Sequence, residues 1–294
     1  MSAPNYALIE AGGTKFVLGA GSGPDAIRAT ARVPTTTPDE TIPAMLDWLS
    51  GHGPFDAIGL ATFGPVGIDR ASPDWGHILA TPKPHWQGAD LAGALAGAFD
   101  CPIGLDTDVN AAALAEWRWG AGQGQRSVVY LTVGTGIGGG AVIDGRTLQG
   151  IGHPEMGHMR VPRHPEDLGF AGSCPFHGDC LEGLASGTAI RARTGAALSD
   201  LPADHPAHRI VAWTLAQAVV TLQSVLEPGR IVIGGGVSHT PGLVGRIGQC
   251  AADLGAGYFR GDPRAIVCLP GLGDRAGLLG ALALAQAADT VALT

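Results

Sequence analysis

Apolar and polar positions change their period several times along this chain of 294 residues, and each change marks an element. Tyr6–Glu10 and Phe16–Gly19 are short apolar runs, and Ala26–Val33 follows as a third run of strand character. From Pro38 to Leu49 the period lengthens: Ile42, Met45, Leu46 and Leu49 fall at helical spacing. A buried strand is predicted at Ala57–Ala61, a glycine and proline turn at Phe63–Gly67, a helix over Asp90–Phe99 and a strand over Pro102–Asp106. A further helix starts near Asp108 and runs to Trp119, with Asp108 or Asn110 as its cap. Gly120–Arg126 is glycine-rich and polar and marks a boundary before a strong strand pair over Val128–Ile143.

Beyond that pair lies a proline- and glycine-rich loop over Gly150–Cys180. Helices are predicted at Leu181–Thr194 and Pro206–Leu226, the second apolar on most faces and therefore buried. Arg230–Ile233 is a strand that runs into Gly234–Gly236, with a helix expected after the turn. An alanine- and leucine-rich helix covers Ala276–Ala288. Strand and helix alternate throughout, which defines an α/β fold.

Composition narrows the classes. With 45% hydrophobic and only 15% charged residues, the chain readily builds sizeable cores. A net charge of −8 argues against nucleic-acid and membrane-surface partners, but backbone amides hold phosphate without a basic surface. No apolar run is read as long enough to span a bilayer. Five cysteines with no leader pattern point to a reducing cytoplasm rather than a disulfide framework. Lysine occurs only twice, as Lys15 and Lys83.

Three glycine turns carry the candidate chemistry. Gly12-Gly13-Thr14-Lys15 lies between two strands; its glycines bring backbone N–H groups close to a phosphate, and equally serve a plain hairpin. Gly134–Gly140 formally fits G-x-G-x-x-G, but Ala141–Ile143 continues as a strand where a dinucleotide turn needs a helix, so the Rossmann reading fails. No P-loop motif is present. Gly234-Gly235-Gly236 is the third turn, placed to pass a base or ribose. Such turns in both halves predict a nucleotide held between related lobes.

Asp106-Thr107-Asp108-Val109-Asn110 sits where a strand meets a helix, the place where open α/β sheets bind ligands. Asp108 is the candidate base for a substrate hydroxyl, with helix capping as its structural alternative. Asp106 and Asn110 serve either a polyol or the local backbone. His158, Cys174, His177 and Cys180 form a candidate Cys2His2 zinc set, with two buried thiols and two unrelated histidines as the alternative. His153-Pro-Glu155 has the zinc-deaminase H-x-E, but the P-C-x-x-C that chemistry needs is missing.

Taken together, Glu10–Lys15, Asp106–Ala113, Gly134–Gly140, Glu155-x-Gly-His158, the cysteine loop, Cys180–Glu182, Ser186-Gly187 and Gly234–Val237 resemble the ROK (repressor/ORF/kinase) family of sugar kinases over essentially the whole chain. The resemblance implies a two-lobed, actin-like (ribonuclease H-like) ATPase fold, each lobe a mixed sheet flanked by helices. It implies a small lobe of 1–119 plus 277–294 and a large lobe of 120–276 carrying the zinc loop. Asp108 is then the catalytic base. Asn110, Glu155, His158, Glu182, Gly64 and Pro65 contact the sugar. Gly12, Gly13, Thr14, Lys15, Gly134, Thr135 and Gly136 serve the ATP phosphates, and Gly234, Gly235 and Gly236 the adenosine. The metal ligands are His158, Cys174, His177 and Cys180, around a structural zinc, and Mg²⁺ accompanies ATP. A homodimer is implied as well.

Two departures matter. The wider pattern has Asp where this chain has Glu10, and its cysteine loop is C-x-C-x-x-x-x-C rather than C-x-x-H-x-x-C. Both departures resemble the bacterial fructokinase branch, which implies phosphorylation of D-fructose at the 6-hydroxyl. Glucose, mannose and N-acetylmannosamine stay open as substrates, as does a non-catalytic sugar-binding protein. The family also contains repressors with an added DNA-binding module, for which the start of the first strand at Tyr6 leaves no expected room.

Overall fold

The computed structural model describes residues 3–292. The chain divides into two compact units: unit 1 comprises residues 1–115, 147–153 and 274–294, and unit 2 comprises 116–146 and 154–273.

Unit 1 is built on a five-stranded sheet: β1 (Tyr6–Ala11), β2 (Lys15–Gly21), β3 (Ile27–Pro34), β4 (Ala57–Thr62) and β5 (Ile103–Thr107). Their spatial order is β3-β2-β1-β4-β5. The β1–β2 and β2–β3 pairs are antiparallel, whereas β1–β4 and β4–β5 are parallel. The sheet's middle strands are covered on both faces, which is why β4 is buried at every position. On one face Ile9, Phe16, Ile58 and Leu60 form a core with Met45 and Leu49 of α1 (Pro38–Ser50) and Leu91 and Leu95 of α2 (Leu91–Ala98).

The helix α9 (Ala276–Ala292) packs against β1, β4 and β5. There the approach is so close that only glycine fits beneath it. A Cβ on Gly59 would lie 1.8 Å from the Ala281 carbonyl oxygen, and one on Gly104 2.2 Å from that of Leu284.

α3 (Asp108–Trp119) leaves β5 without a loop. Its cap is neither Asp108 nor Asn110, as expected, but Thr107, whose hydroxyl accepts the Asn110 N–H at 3.2 Å. Asp108 instead accepts the Val109 N–H within the first turn, and the Asn110 side chain donates to Asp106.

Unit 2 repeats the plan. β6 (Ser127–Val133), β7 (Ile137–Ile143), β8 (Arg146–Thr147), β9 (Arg230–Gly234) and β10 (Val267–Cys268) lie in the order β10-β9-β6-β7-β8. The strand expected after the second glycine turn is β7, antiparallel to β6. The single helix expected over Leu181–Thr194 is two: α4 (Leu181–Ala185) and α5 (Gly187–Thr194). Ser186 is extended (ψ 164°) and its hydroxyl caps α5 by accepting the Ala189 N–H, so one residue ends a helix and begins the next.

α6 (Pro206–Leu226) packs against α4 and α5 and against α7 (Leu243–Gly255), which meets the short α8 (Pro263–Ile266). Contrary to the sequence reading, α6 is long and apolar enough to cross a membrane by length and composition. Its buried face explains the apolarity instead: Ile210, Leu215, Val219 and Leu222 are core, and the polar Thr214 and Gln223 are buried with them.

Candidate active site

In unit 1 the register of three neighbouring strands does the placing. Ala11, Thr62 and Thr107 end parallel β1, β4 and β5 at one level. The segments that leave these ends are Gly12–Thr14, Phe63–Gly67 and Asp108–Asn110. Three separately identified motifs therefore share one sheet edge, the carboxyl edge at which open α/β sheets take ligands.

Gly13, Thr14 and Lys15 are exposed at that edge. The turn is tied from its carbonyl side. Thr35 donates its hydroxyl to Gly12 O at 2.7 Å and its N–H to Thr14 O at 3.0 Å. The Lys83 ammonium donates to Gly13 O and, at 3.2 Å, to Thr35 O. Gly64 and Pro65 lie beside His153, whose Nε2 accepts the Val66 N–H at 3.2 Å.

Asp106 is buried, with 1% exposure, and its carboxylate is fully engaged. It accepts from the Thr107 N–H at 2.8 Å, from Asn110 Nδ2 at 2.8 Å and from Gln149 Nε2 at 3.1 Å. Asp106 therefore orients Asn110 rather than standing open itself. Asp108 is half-buried at the first turn of α3, with its Oδ1 accepting from the Val109 N–H at 2.9 Å. Glu10, on β1 beside this edge, has its acid pushed up by burial, while the nearby Lys15 works in the opposite direction.

In unit 2, Gly134–Gly136 joins β6 to β7, and β9 runs parallel to β6 so that Gly234 pairs with Thr132. The second and third glycine turns thus share an edge. The Gly187 N–H donates to Gly134 O at 2.7 Å and the Thr188 hydroxyl to Thr135 O at 2.9 Å. Glu182 Oε2 accepts the Ile137 N–H at 2.9 Å.

A cavity of about 520 Å³ opens here, lined among others by Gly134, Thr135, Thr188, Arg191, Leu198 and Gly236. That size suits a cofactor-sized ligand. Of the third turn only Gly236 reaches the cavity. Gly235 is in the left-handed region (φ 82°) with the Val133 backbone 2.6 Å from where a Cβ would sit, so its role is to turn the chain. Thr188, Arg191 and Leu198 were not singled out in the sequence; the one signal was the adjoining Ser186-Gly187.

Glu155 is exposed and precedes the short 3-10 turn Met156–His158. That turn aims the His158 ring at the cysteine loop. His158 Nδ1, Cys174 Sγ, His177 Nδ1 and Cys180 Sγ all lie within 4.8 Å of one another. The His158–His177 nitrogen pair is 3.2 Å apart, and the sulfur–nitrogen separations are 3.5–3.7 Å. Zinc bonds of about 2.3 Å to sulfur and 2.0–2.1 Å to nitrogen, at tetrahedral angles, need edges of about 3.6 Å for S···N and about 3.3 Å for N···N. The donor set and its spacing therefore fit tetrahedral zinc. Both cysteine side chains are buried, and the Cys174–Gly178 backbone bonds (2.9 and 3.1 Å) close the loop around them.

One buried carboxylate escaped the sequence reading. Glu116 is wholly buried and accepts the N–H groups of Ala121 (2.7 Å), Gly271 (3.0 Å) and Leu272 (3.0 Å). It sits at the first residue of unit 2 and gathers the segment that leads out of it.

Two sheets of matching plan, with glycine turns at their edges and a cavity beside one of them, define an actin-like ATPase. The chain belongs to the ROK family, which it matches over residues 6–288. It is 49% identical over 292 residues to a fructokinase of Zymomonas mobilis, covering 97% of each chain. Among solved structures it is similar to a ROK hexokinase from Thermus thermophilus (28% identity, TM-score 0.79, 99% of this chain and 100% of that one). It is also similar to a ROK family glucokinase from Streptomyces griseus in complex with glucose and AMPPNP (26% identity, TM-score 0.72, 96% and 99% covered).

Proposed function

We propose that the protein is an ATP-dependent kinase that converts D-fructose to fructose 6-phosphate. The choice of fructose over another hexose rests on one observation, the 49% identity to a fructokinase along 97% of the chain. Phosphoryl transfer itself is supported by the shared strand edge that carries Gly12–Thr14 and Asp108.

In the proposed reaction the 6-hydroxyl oxygen bonds to the γ-phosphorus. The bond from that phosphorus to the β–γ bridging oxygen breaks, and ADP leaves. The Asp108 carboxylate accepts the hydroxyl proton as the oxygen attacks. Asn110, held by Asp106, is assigned to the hexose, as are Gly64, Pro65, Glu155, His158 and Glu182. His158 carries two roles without conflict, because Nδ1 faces the cysteines and Nε2 is left as a donor. Glu182 likewise holds the second turn through Oε2 and keeps Oε1 for a hydroxyl.

Gly12–Lys15 and Gly134–Gly136 are assigned to the phosphates and the cavity of unit 2 to the adenosine. Mg²⁺ brought with ATP would supply charge neutralisation, and Glu10 is the residue assigned to it. Zinc, held by His158, Cys174, His177 and Cys180, supplies a fixed loop geometry and takes no part in the chemistry. We place the enzyme in the cytoplasm as a homodimer; sedimentation of the purified chain tests the oligomeric state.

The deciding experiment is a coupled ADP-release assay with MgATP against fructose, glucose, mannose and N-acetylmannosamine. A kcat/KM for fructose well above the others is the expected result. Preference for another sugar overturns the substrate and keeps the chemistry. No sugar-dependent release overturns the kinase reading.

A further inference from the structure

The chain has two lysines against sixteen arginines, and both come to the same tetrapeptide. Lys15 is part of the first glycine turn, and Lys83, 70 residues away from Gly13, donates to that residue's carbonyl. Such placement is selective. An arginine offers a planar fork that grips carboxylate or phosphate through two bonds, whereas lysine offers a compact point charge with three rotatable donors. Lysine therefore meets phosphate as a point charge that can follow an oxygen as it moves.

The position of Lys83 is set by neighbours rather than by chance. Three residues on, Trp86 is wholly buried against Phe16 and Phe63, with ring centroids 5.5 and 5.4 Å apart. Its indole Nε1 donates to Thr36 O at 2.8 Å. Prolines at 82 and 84 stiffen the backbone on either side. Two of the three ammonium donors meet the carbonyls of Gly13 and Thr35, and neither acceptor carries a charge. Among the described residues no carboxylate is paired with Lys83. Its full positive charge and one donor are therefore held, unneutralised, at the turn assigned to phosphate.

We propose that Lys83 is a phosphate-binding residue, its ammonium stabilising the γ-phosphoryl oxygens while the group is transferred and charge develops on the β–γ bridging oxygen. The proposal rests on the kinase reading above. Lys83 is then a catalytic residue supplied by a loop, and Lys15 the flanking cation.

Two measurements test it. The first uses the wild-type protein, whose only side-chain amines are Lys15 and Lys83. Limited acetylation with acetic anhydride, followed by peptide mass spectrometry, reads each amine separately. MgAMPPNP with fructose should slow acetylation of Lys83 at least tenfold, and fructose alone should not. An unchanged rate under saturating nucleotide would overturn the proposal. The second is Lys83→Met, expected to lower kcat by about 10²-fold, the usual loss when one pre-placed donor to developing charge is removed. Fructose affinity by calorimetry should stay within threefold. Exogenous ethylammonium should restore part of the turnover of Lys83→Ala, which a purely structural tie would not permit. A kcat for Lys83→Met within threefold of wild type would overturn the proposal while wild-type fructose phosphorylation stands. Wild-type protein that releases no ADP with any hexose would overturn the kinase reading and this proposal together.

Discussion

The two hairpin turns, Gly12–Lys15 in unit 1 and Gly134–Gly136 in unit 2, use one backbone device with different supporting side chains. Donors hold the first: the Thr35 hydroxyl and N–H and the Lys83 ammonium all bond its carbonyls. A carboxylate helps hold the second, with Glu182 accepting the N–H of Ile137, and Gly187 and Thr188 bonding its carbonyls. On the reading proposed above both turns serve the phosphates, and their supports divide the work. The cation-rich turn suits the group that moves, and the turn beside the 520 Å³ cavity suits the part that only binds. A glycine turn says where a phosphate can approach; the side chains behind it say what that approach is for.

The comparison is broken most severely at the sheet edge of unit 1. Asp108→Asn should cut kcat by about 10²–10⁴-fold, the usual cost of losing a general base, while fructose binding by calorimetry changes less than threefold. A variant within a few-fold of wild type removes Asp108 from the chemistry.

Next comes the cysteine loop of unit 2. Cys174→Ser should lose stoichiometric zinc by elemental analysis and unfold at a lower temperature, because a metal bound only by the folded chain contributes to its stability. Full zinc in that variant would show that the four ligands are wrongly assigned.

Smaller and more discriminating is a matched pair. Thr35→Val and Thr188→Val each delete one hydroxyl bond to a turn carbonyl, at 2.7 and 2.9 Å. Each bond is worth about 1 kcal/mol, hence roughly fivefold. Steady-state kinetics should register the first chiefly in kcat and the second chiefly in KM for ATP. Identical patterns for both would erase the distinction between the turns.

The smallest effect is a pH dependence at Glu10. Burial raises its acid above the ordinary value of 4.5, so the folded chain retains a proton there that the unfolded chain releases. That contribution is complete below the ordinary value and is lost as pH rises through the raised one. Glu10→Gln abolishes the loss. Its Tm relative to wild type should therefore be more favourable at pH 7 than at pH 4, and a flat difference would contradict the burial argument.

What could be read from the sequence was whatever is local. The apolar runs about Gly12 and about Gly134 declare their hairpins, and Ile42, Met45, Leu46 and Leu49 declare α1, because a strand or helix leaves its period in neighbouring residues. Asp108 and Asn110 were visible because they sit at a strand end. The groups that hold the site were not visible. Glu116 meets Gly271 across 155 residues and Lys83 meets Gly13 across 70, separations at which no pattern survives. Local reading also failed at Ser186, where one extended residue splits α4 from α5, and after the third glycine turn, where the expected helix is preceded by a short 3-10 turn (Gly236–His239) and α7 begins only at Leu243.

α9 has a consequence for the order in which the molecule is made. Unit 1 is assembled from three stretches of chain, and α9 belongs to the last of them. A ribosome will have delivered all of unit 2 before α9 exists. Until then Gly59 and Gly104 leave a bare groove on the sheet where the helix backbone will lie. The half of the protein whose synthesis begins first is thus the half completed second, and a chain stopped before Asp274 would carry an uncovered apolar sheet face, the kind of surface that chaperones bind and that drives aggregation.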